Sequence, residues 1–146
     1  MRILAKSDVG KARDMNQDYY YVSDLEKDDI KLYILADGMG GYKGGEIASN
    51  LAVNCVKNYI CNNFSKIPKE KEDILNLINS AIEYANMIVY EKAQEIPDLK
   101  DMGTTIEVVV IYGNKVFIGH VGDSRIYRVR KNIIRRLTTD HSYVEK

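Results

Sequence analysis

The 146-residue sequence has only 2 prolines, 2 cysteines and 2 histidines, carries no net charge, and contains no long apolar run. With so little proline, and with 45% hydrophobic and 29% charged residues, it falls outside the collagen-like, coiled-coil and disordered classes. What remains is one ordinary soluble domain with enough apolar residues for a core. The 21 Lys and Arg balance the 21 Asp and Glu, so no global field draws the chain to nucleic acid or an acidic membrane. Charges in Met1–Asp8 stand where a signal peptide needs an apolar stretch, and nowhere do eighteen apolar residues follow one another. A cytoplasmic location is the default expectation, with no membrane and no nucleic acid as partner. Cys55 and Cys61 lie six apart in a helical pattern, on different faces, which forbids a disulfide between them. His120 and His141 are scattered, so zinc has no local support and any metal must be held by oxygen.

Three strand-like runs come first: Arg2 to Lys6, Asp18 to Val22 and Lys31 to Ala36. Apolar residues at three- and four-residue spacing then predict an amphipathic helix from Glu46 to about Phe64, through Ile47, Leu51, Cys55 and Val56. A second runs from about Lys69 to Gln94, with Ile74, Ile78, Ala81, Ile82, Ala85, Ile88 and Val89 on one face and Pro68 and Pro97 at its ends. Thr105 to Tyr112 and Lys115 to His120 flank Gly113-Asn114, a hairpin signature. Ser124 to Arg130 and Ile133 to Leu137 repeat it around Lys131-Asn132. Strands, two helices, then strands are the signature of an α+β fold. The six basic residues between Arg125 and Arg136 alternate with Ile126, Tyr127, Val129, Ile133 and Ile134, which reads as a half-buried antiparallel pair with solvated arginines.

Antiparallel register brings acids together. If Asp18–Ser23 pairs with Lys31–Ala36, partner numbers add to about 54, and Asp18 falls opposite or beside Asp37. The same arithmetic about Gly113-Asn114 places Thr104 near Asp123. Two unpaired carboxylates at one sheet end repel unless a proton or cation lies between them, and an oxygen-only donor set suits Mg²⁺ or Mn²⁺. Gly38, beside Asp37, removes side-chain bulk where a carbonyl could meet metal or water. By itself, Asp37-Gly38-Met39-Gly40-Gly41 also reads as a glycine-rich turn from strand to helix. Nucleotide fingerprints fail on spacing: Lys43 stands where a dinucleotide motif needs its third glycine, and Tyr42-Lys43-Gly44 cannot complete a Walker loop. A Ser124 nucleophile with His141 as base is disfavoured because Ser124 opens a strand and not a helix.

As a set, the residues resemble a known family. Ser7-Asp8-Val9-Gly10-Lys11-Ala12-Arg13-Asp14-Met15-Asn16-Gln17-Asp18, Ala36-Asp37-Gly38-Met39-Gly40-Gly41, Gly103-Thr104-Thr105, Gly119-His120-Val121-Gly122-Asp123-Ser124-Arg125 and Leu137-Thr138-Thr139-Asp140-His141-Ser142 follow the order seen in the metal-dependent protein serine/threonine phosphatases, the protein phosphatase 2C family, most closely its bacterial branch. The resemblance implies part of an α-β-β-α sandwich with antiparallel sheets and two long helices. It also implies hydrolysis of phosphoserine and phosphothreonine in proteins by a metal-activated water. Two Mn²⁺ or Mg²⁺ ions would serve, with a third more weakly held. Under it, Asp37 bridges two ions, Asp18 and the Gly38 carbonyl are further ligands, Asp123 supports the third ion, and Arg13 holds the substrate phosphate. Gly103, Thr104 and Thr105 shape the site. Met39 stands where some relatives carry a histidine proton donor. Residues 1–146 would form a single incomplete phosphatase domain, because the family domain continues with further strands and two more aspartates, so little activity is expected of this chain alone. The implied partners are phosphorylated proteins and a cognate serine/threonine kinase. The competing expectation is a non-catalytic phosphate- or metal-binding regulatory module of the same fold.

Overall fold

Alternation of exposed and buried side chains along Lys31–Met39 makes this strand, β2, the axis of the computed structural model, which describes residues 2–23, 30–41 and 43–141. Leu32, Ile34, Ala36 and Gly38 turn to one face and are buried; Leu35 and Asp37 turn to the other and keep solvent contact. On one side β2 pairs antiparallel with β1 (Asp18–Val22), and on the other with β4 (Ile106–Tyr112). β4 pairs in turn with β5 (Lys115–Val121), and the short β3 (Gly103–Thr104) extends the sheet beside Gly38 and Met39. Gly113 takes φ 62° at the first central position of the β4–β5 hairpin, the geometry of a type II′ turn that only glycine adopts without strain.

Between β2 and β3 run α1 (Gly44–Asn63) and α2 (Lys71–Glu95). α2 buries Ile74, Leu77, Ile78, Ala81, Ala85, Val89 and Ala93, a stripe that advances by three or four residues. α1 buries Ala48, Ala52, Val53, Val56 and Ile60. Both helices pack on the sheet face that carries Leu32, Ile34, Val108, Val110 and Phe117, α1 over β1 and β2 and α2 over β5. Each fully buried Ile, Leu or Val contributes roughly 1.5–3 kcal/mol, so this single layer of helices on sheet supplies most of the apolar stabilisation. The fold is α+β, as the order of elements predicts.

Backbone contact between strand and helix fixes the start of α1. A Cβ on Gly38 would lie 1.9 Å from the Gly45 carbonyl oxygen, so Gly38 is glycine because α1 begins against it, on the helix side of the sheet. This is a different reason from the one expected at the metal side.

Three local expectations are corrected. Arg2–Lys6 forms no strand, because a short apolar run makes none without a ladder neighbour, and no described residue supplies one. Asp37, Gly38 and Met39 belong to β2 and not to a turn, since the ladder runs on through β3. The last hairpin, β6 (Tyr127–Arg130) and β7 (Ile133–Arg136), starts later than Ser124 and is not half-buried: all eight residues are exposed. It stands as a separate two-stranded sheet with no layer over it among the described residues. Lys131 and Asn132 take φ 49° and 63°, which gives that hairpin a type I′ turn. Cys55 and Cys61 form no disulfide. No described helix is long and apolar enough to cross a membrane.

Candidate functional site

The β1–β2 register sets Asp18 directly across from Asp37. Cross-strand partners point to the same sheet face, so both carboxylates leave the sheet on the side away from the helices. Bringing the two carboxyl groups together disfavours ionisation of Asp37. Although Asp37 keeps solvent contact, its carboxyl pKa is raised: partial burial acts first, then the Asp18 hydrogen bond and the negative charges of Asp18 and Asp123, while Arg13 pulls the other way.

The backbone around Asp37 is tied on both flanks. Its N–H donates to Thr105 Oγ1 at 3.0 Å, and its carbonyl accepts from the Thr105 N–H at 3.0 Å. Gly38 N–H donates to the Gln17 carbonyl at 3.0 Å, and Gln17 Nε2 donates to the Gly40 carbonyl at 3.2 Å. Asn16 accepts from the Asp18 N–H at 3.0 Å through Oδ1 and donates from Nδ2 to Ser7 Oγ at 2.7 Å, closing the loop that carries Arg13. Gly103 and Thr104 form β3 opposite Met39 and Gly38. The register arithmetic for the second hairpin also holds: Thr105 Oγ1 lies 2.9 Å from Ser124 Oγ, and a Cβ on Gly122 would meet Thr105 Cγ2 at 2.6 Å.

Asp18 and Asp37 are therefore brought together, with Gly38 beside them. Asp123 stands further off, near enough for its charge to act on Asp37. Among the described residues no three Asp, Glu, His or Cys side chains converge on one point. Two carboxylates set face to face, with the Asp37 pKa raised, are what a hard divalent ion would neutralise, so the oxygen donors fit such an ion and supply part of its ligand set.

Ser124 and His141 do not form a nucleophile–base pair. Ser124 Oγ is engaged with Thr105, and His141 Nδ1 accepts from the Gly122 N–H at 3.1 Å. Ser142 and Tyr42, which the motif comparisons include, lie outside the described residues.

Sequence reading missed Glu107. A single acid inside Ile106-Glu107-Val108-Val109 reads as an outward-facing strand residue; here it is 2% exposed and neither carboxyl oxygen has a hydrogen-bond partner among the described residues. Its pKa is pushed up to about 8, first by burial and then by the charges of Asp123 and Asp140. His120, its cross-strand partner, has Nδ1 at 3.7 Å from Glu107 Oε2, too far for a hydrogen bond. The His120 pKa is lowered, by burial first and by neighbouring His141 second. Both directions make this a neutral pair and not an ion pair. The His120 and His141 rings stack at 4.8 Å with 8° between planes.

Residues 11–145 match the family model for protein phosphatase 2C. Protein phosphatase PhpP of Streptococcus pneumoniae is 35% identical over 149 residues, an alignment that takes in 100% of this chain and 57% of PhpP. The serine/threonine phosphatase of S. agalactiae superposes with a TM-score of 0.81 at 39% identity, covering 95% of this chain and 55% of that one. The catalytic domain of the serine/threonine protein phosphatase PstP, solved with 2 manganese ions, superposes with a TM-score of 0.79 at 31% identity, covering 95% and 55%. The chain spans about half the length of the curated relatives it matches.

Proposed function

This chain belongs to the protein phosphatase 2C family, and on that premise we propose that the Asp18–Asp37 end of its sheet is the metal-holding part of a site that hydrolyses phosphoserine and phosphothreonine in proteins. The observation that carries the reading is the carboxylate pair itself, set face to face by strand register, with Asp37 made reluctant to ionise by partial burial and by the nearby Asp18 and Asp123. Asp18, Asp37 and the Gly38 carbonyl would hold Mn²⁺ or Mg²⁺, with Asp123 contributing to a further ion. Bound there, divalent ions supply Lewis acidity toward the phosphoryl group and lower the pKa of water.

The chain's own residues have distinct tasks. Arg13, whose charge already bears on Asp37, presents a planar fork of donors matched to phosphate oxygens and would orient the substrate. Thr105 holds the Asp37 backbone from both sides, so the carboxylate has little freedom to follow a departing ligand. Gly103 and Thr104 keep β3 against Gly38. No protein nucleophile is needed, which agrees with Ser124 being held by Thr105.

Two converging carboxylates are fewer donors than two divalent ions take. The 146-residue chain by itself would bind metal weakly and turn over slowly. Phosphorylated proteins are the substrates in this reading, and a serine/threonine kinase is the opposing activity. The test is Mn²⁺-dependent hydrolysis of p-nitrophenyl phosphate by the intact native gene product. Activity should be lost in Asp37→Asn and kept in Ser124→Ala. Hydrolysis that survives Asp37→Asn or ignores Mn²⁺ removal would sink the reading, and Mn²⁺ binding with no hydrolysis would favour the regulatory module.

A further inference from the structure

The pair Asp140-His141 has no part in the chemistry above, yet it touches both ends of one turn. At the front, His141 Nδ1 accepts from the Gly122 N–H at 3.1 Å, and the His141 N–H donates to the Gly122 carbonyl at 2.9 Å. At the back, Arg125 Nε donates to Asp140 Oδ1 at 2.9 Å, and Arg125 Nη2 donates to Asp140 Oδ2 at 2.5 Å, a two-pronged contact on a carboxylate only 6% exposed. Between those anchors lie Asp123 and Ser124. Gly122 has φ 114°, a conformation side chains rarely adopt, and it presses on Thr105, as Ser124 does through its hydroxyl. Thr105 in turn holds Asp37.

We propose that Asp140 and His141 are positioning residues that clasp the Gly122–Arg125 turn and so present the Asp123 carboxylate toward Asp37. This rests on the reading of Asp123 as a metal ligand. Acceptance of the Gly122 N–H fixes the His141 tautomer: Nδ1 carries the lone pair, and when the ring is neutral its proton is on Nε2. The ring is held in place by its stack on His120.

The tautomer makes the proposal sharp, because asparagine places an acceptor oxygen where histidine has Nδ1 and glutamine places one further out. In the intact native gene product, His141→Ala and His141→Gln should speed exchange of the Gly122 amide by about tenfold, the order of one lost hydrogen bond, and His141→Asn should restore it. Mn²⁺ binding, read by titration calorimetry, should weaken in the Ala and Gln variants and recover in Asn, whatever the order of their melting temperatures. Asp123→Asn is the reference for full loss of the contribution. Wild-type Mn²⁺ affinity in His141→Ala and His141→Gln, or affinities that only track melting temperature, would overturn the clasp while leaving the phosphatase reading intact. No Mn²⁺ binding by the wild type would overturn that reading, and the presentation of Asp123 with it.

Discussion

Replacing Glu107 by glutamine should stabilise the protein, and more so as pH rises. The carboxyl is 2% exposed and titrates at about 8 in the fold, against 4.5 for an ordinary glutamate. Between those values the folded chain keeps a proton that the unfolded chain has released, so stability falls as pH climbs, by about 1.4 kcal/mol per pH unit. Starting from 4.5, that slope accumulates to about 3 kcal/mol at pH 7, and it levels off once pH passes the folded value. Glutamine keeps the shape and cannot ionise, so the variant escapes this loss. His120 offers little rescue to the wild type, since burial lowers its own pKa and disfavours its charged form. The assay is urea unfolding of both proteins at pH 5, 6, 7 and 8 in the presence of a chelator, which keeps cations away from Asp123. The two curves of stability against pH should lie close together at pH 5 and separate steadily above it. Parallel curves would refute the reasoning, and a glutamine variant less stable at pH 8 would show an ionised carboxylate paired with a cation.

Gly38→Ala should destabilise the fold by about 3 kcal/mol or more, because the new Cβ meets a backbone oxygen that cannot rotate away; a thermal melt within two degrees of wild type would contradict the contact. Thr105→Val keeps the side-chain shape but leaves the Asp37 N–H without its acceptor, which should cost about 1–3 kcal/mol in unfolding experiments and weaken Mn²⁺ binding in titration. Mn²⁺ affinity should fall on acidification at a higher pH than ordinary aspartates would give, because Asp37 must lose its raised-pKa proton before it can bind; a calorimetric titration series from pH 7 to 4 with no such early loss would contradict the raised Asp37 pKa.

Much of the fold is written in local spacing. The helices follow from three- and four-residue apolar steps, and Gly113-Asn114 fixes a hairpin whose register carries Thr105 to Gly122 and Ser124. Asp18 meets Asp37 because antiparallel pairing leaves the arithmetic little freedom. What spacing hides is tertiary. The short apolar run of Arg2–Lys6 looks as strand-like as β1, but a strand needs a ladder neighbour, and hydropathy does not name one. The apolar residues of β6 and β7 promised a buried face, yet Val129, Ile133 and Ile134 are each nearly 70% exposed, since alternation states which side is apolar and not what covers it. Glu107 and the stacking of His120 on His141 join residues far apart in sequence, and composition carries no trace of either.

The tie between Asp37 and Thr105 spans 68 residues, because the two helices intervene. That separation has a meaning in time. A ribosome adding 5–20 residues per second delivers Thr105 about 3–14 s after Asp37, and Asp123 later still. The hairpin that opposes two like charges is therefore synthesised well before the strand that steadies it. Until Thr105 arrives the Asp37 backbone lacks both hydrogen bonds that steady it, so the brace can close only after both helices have been made.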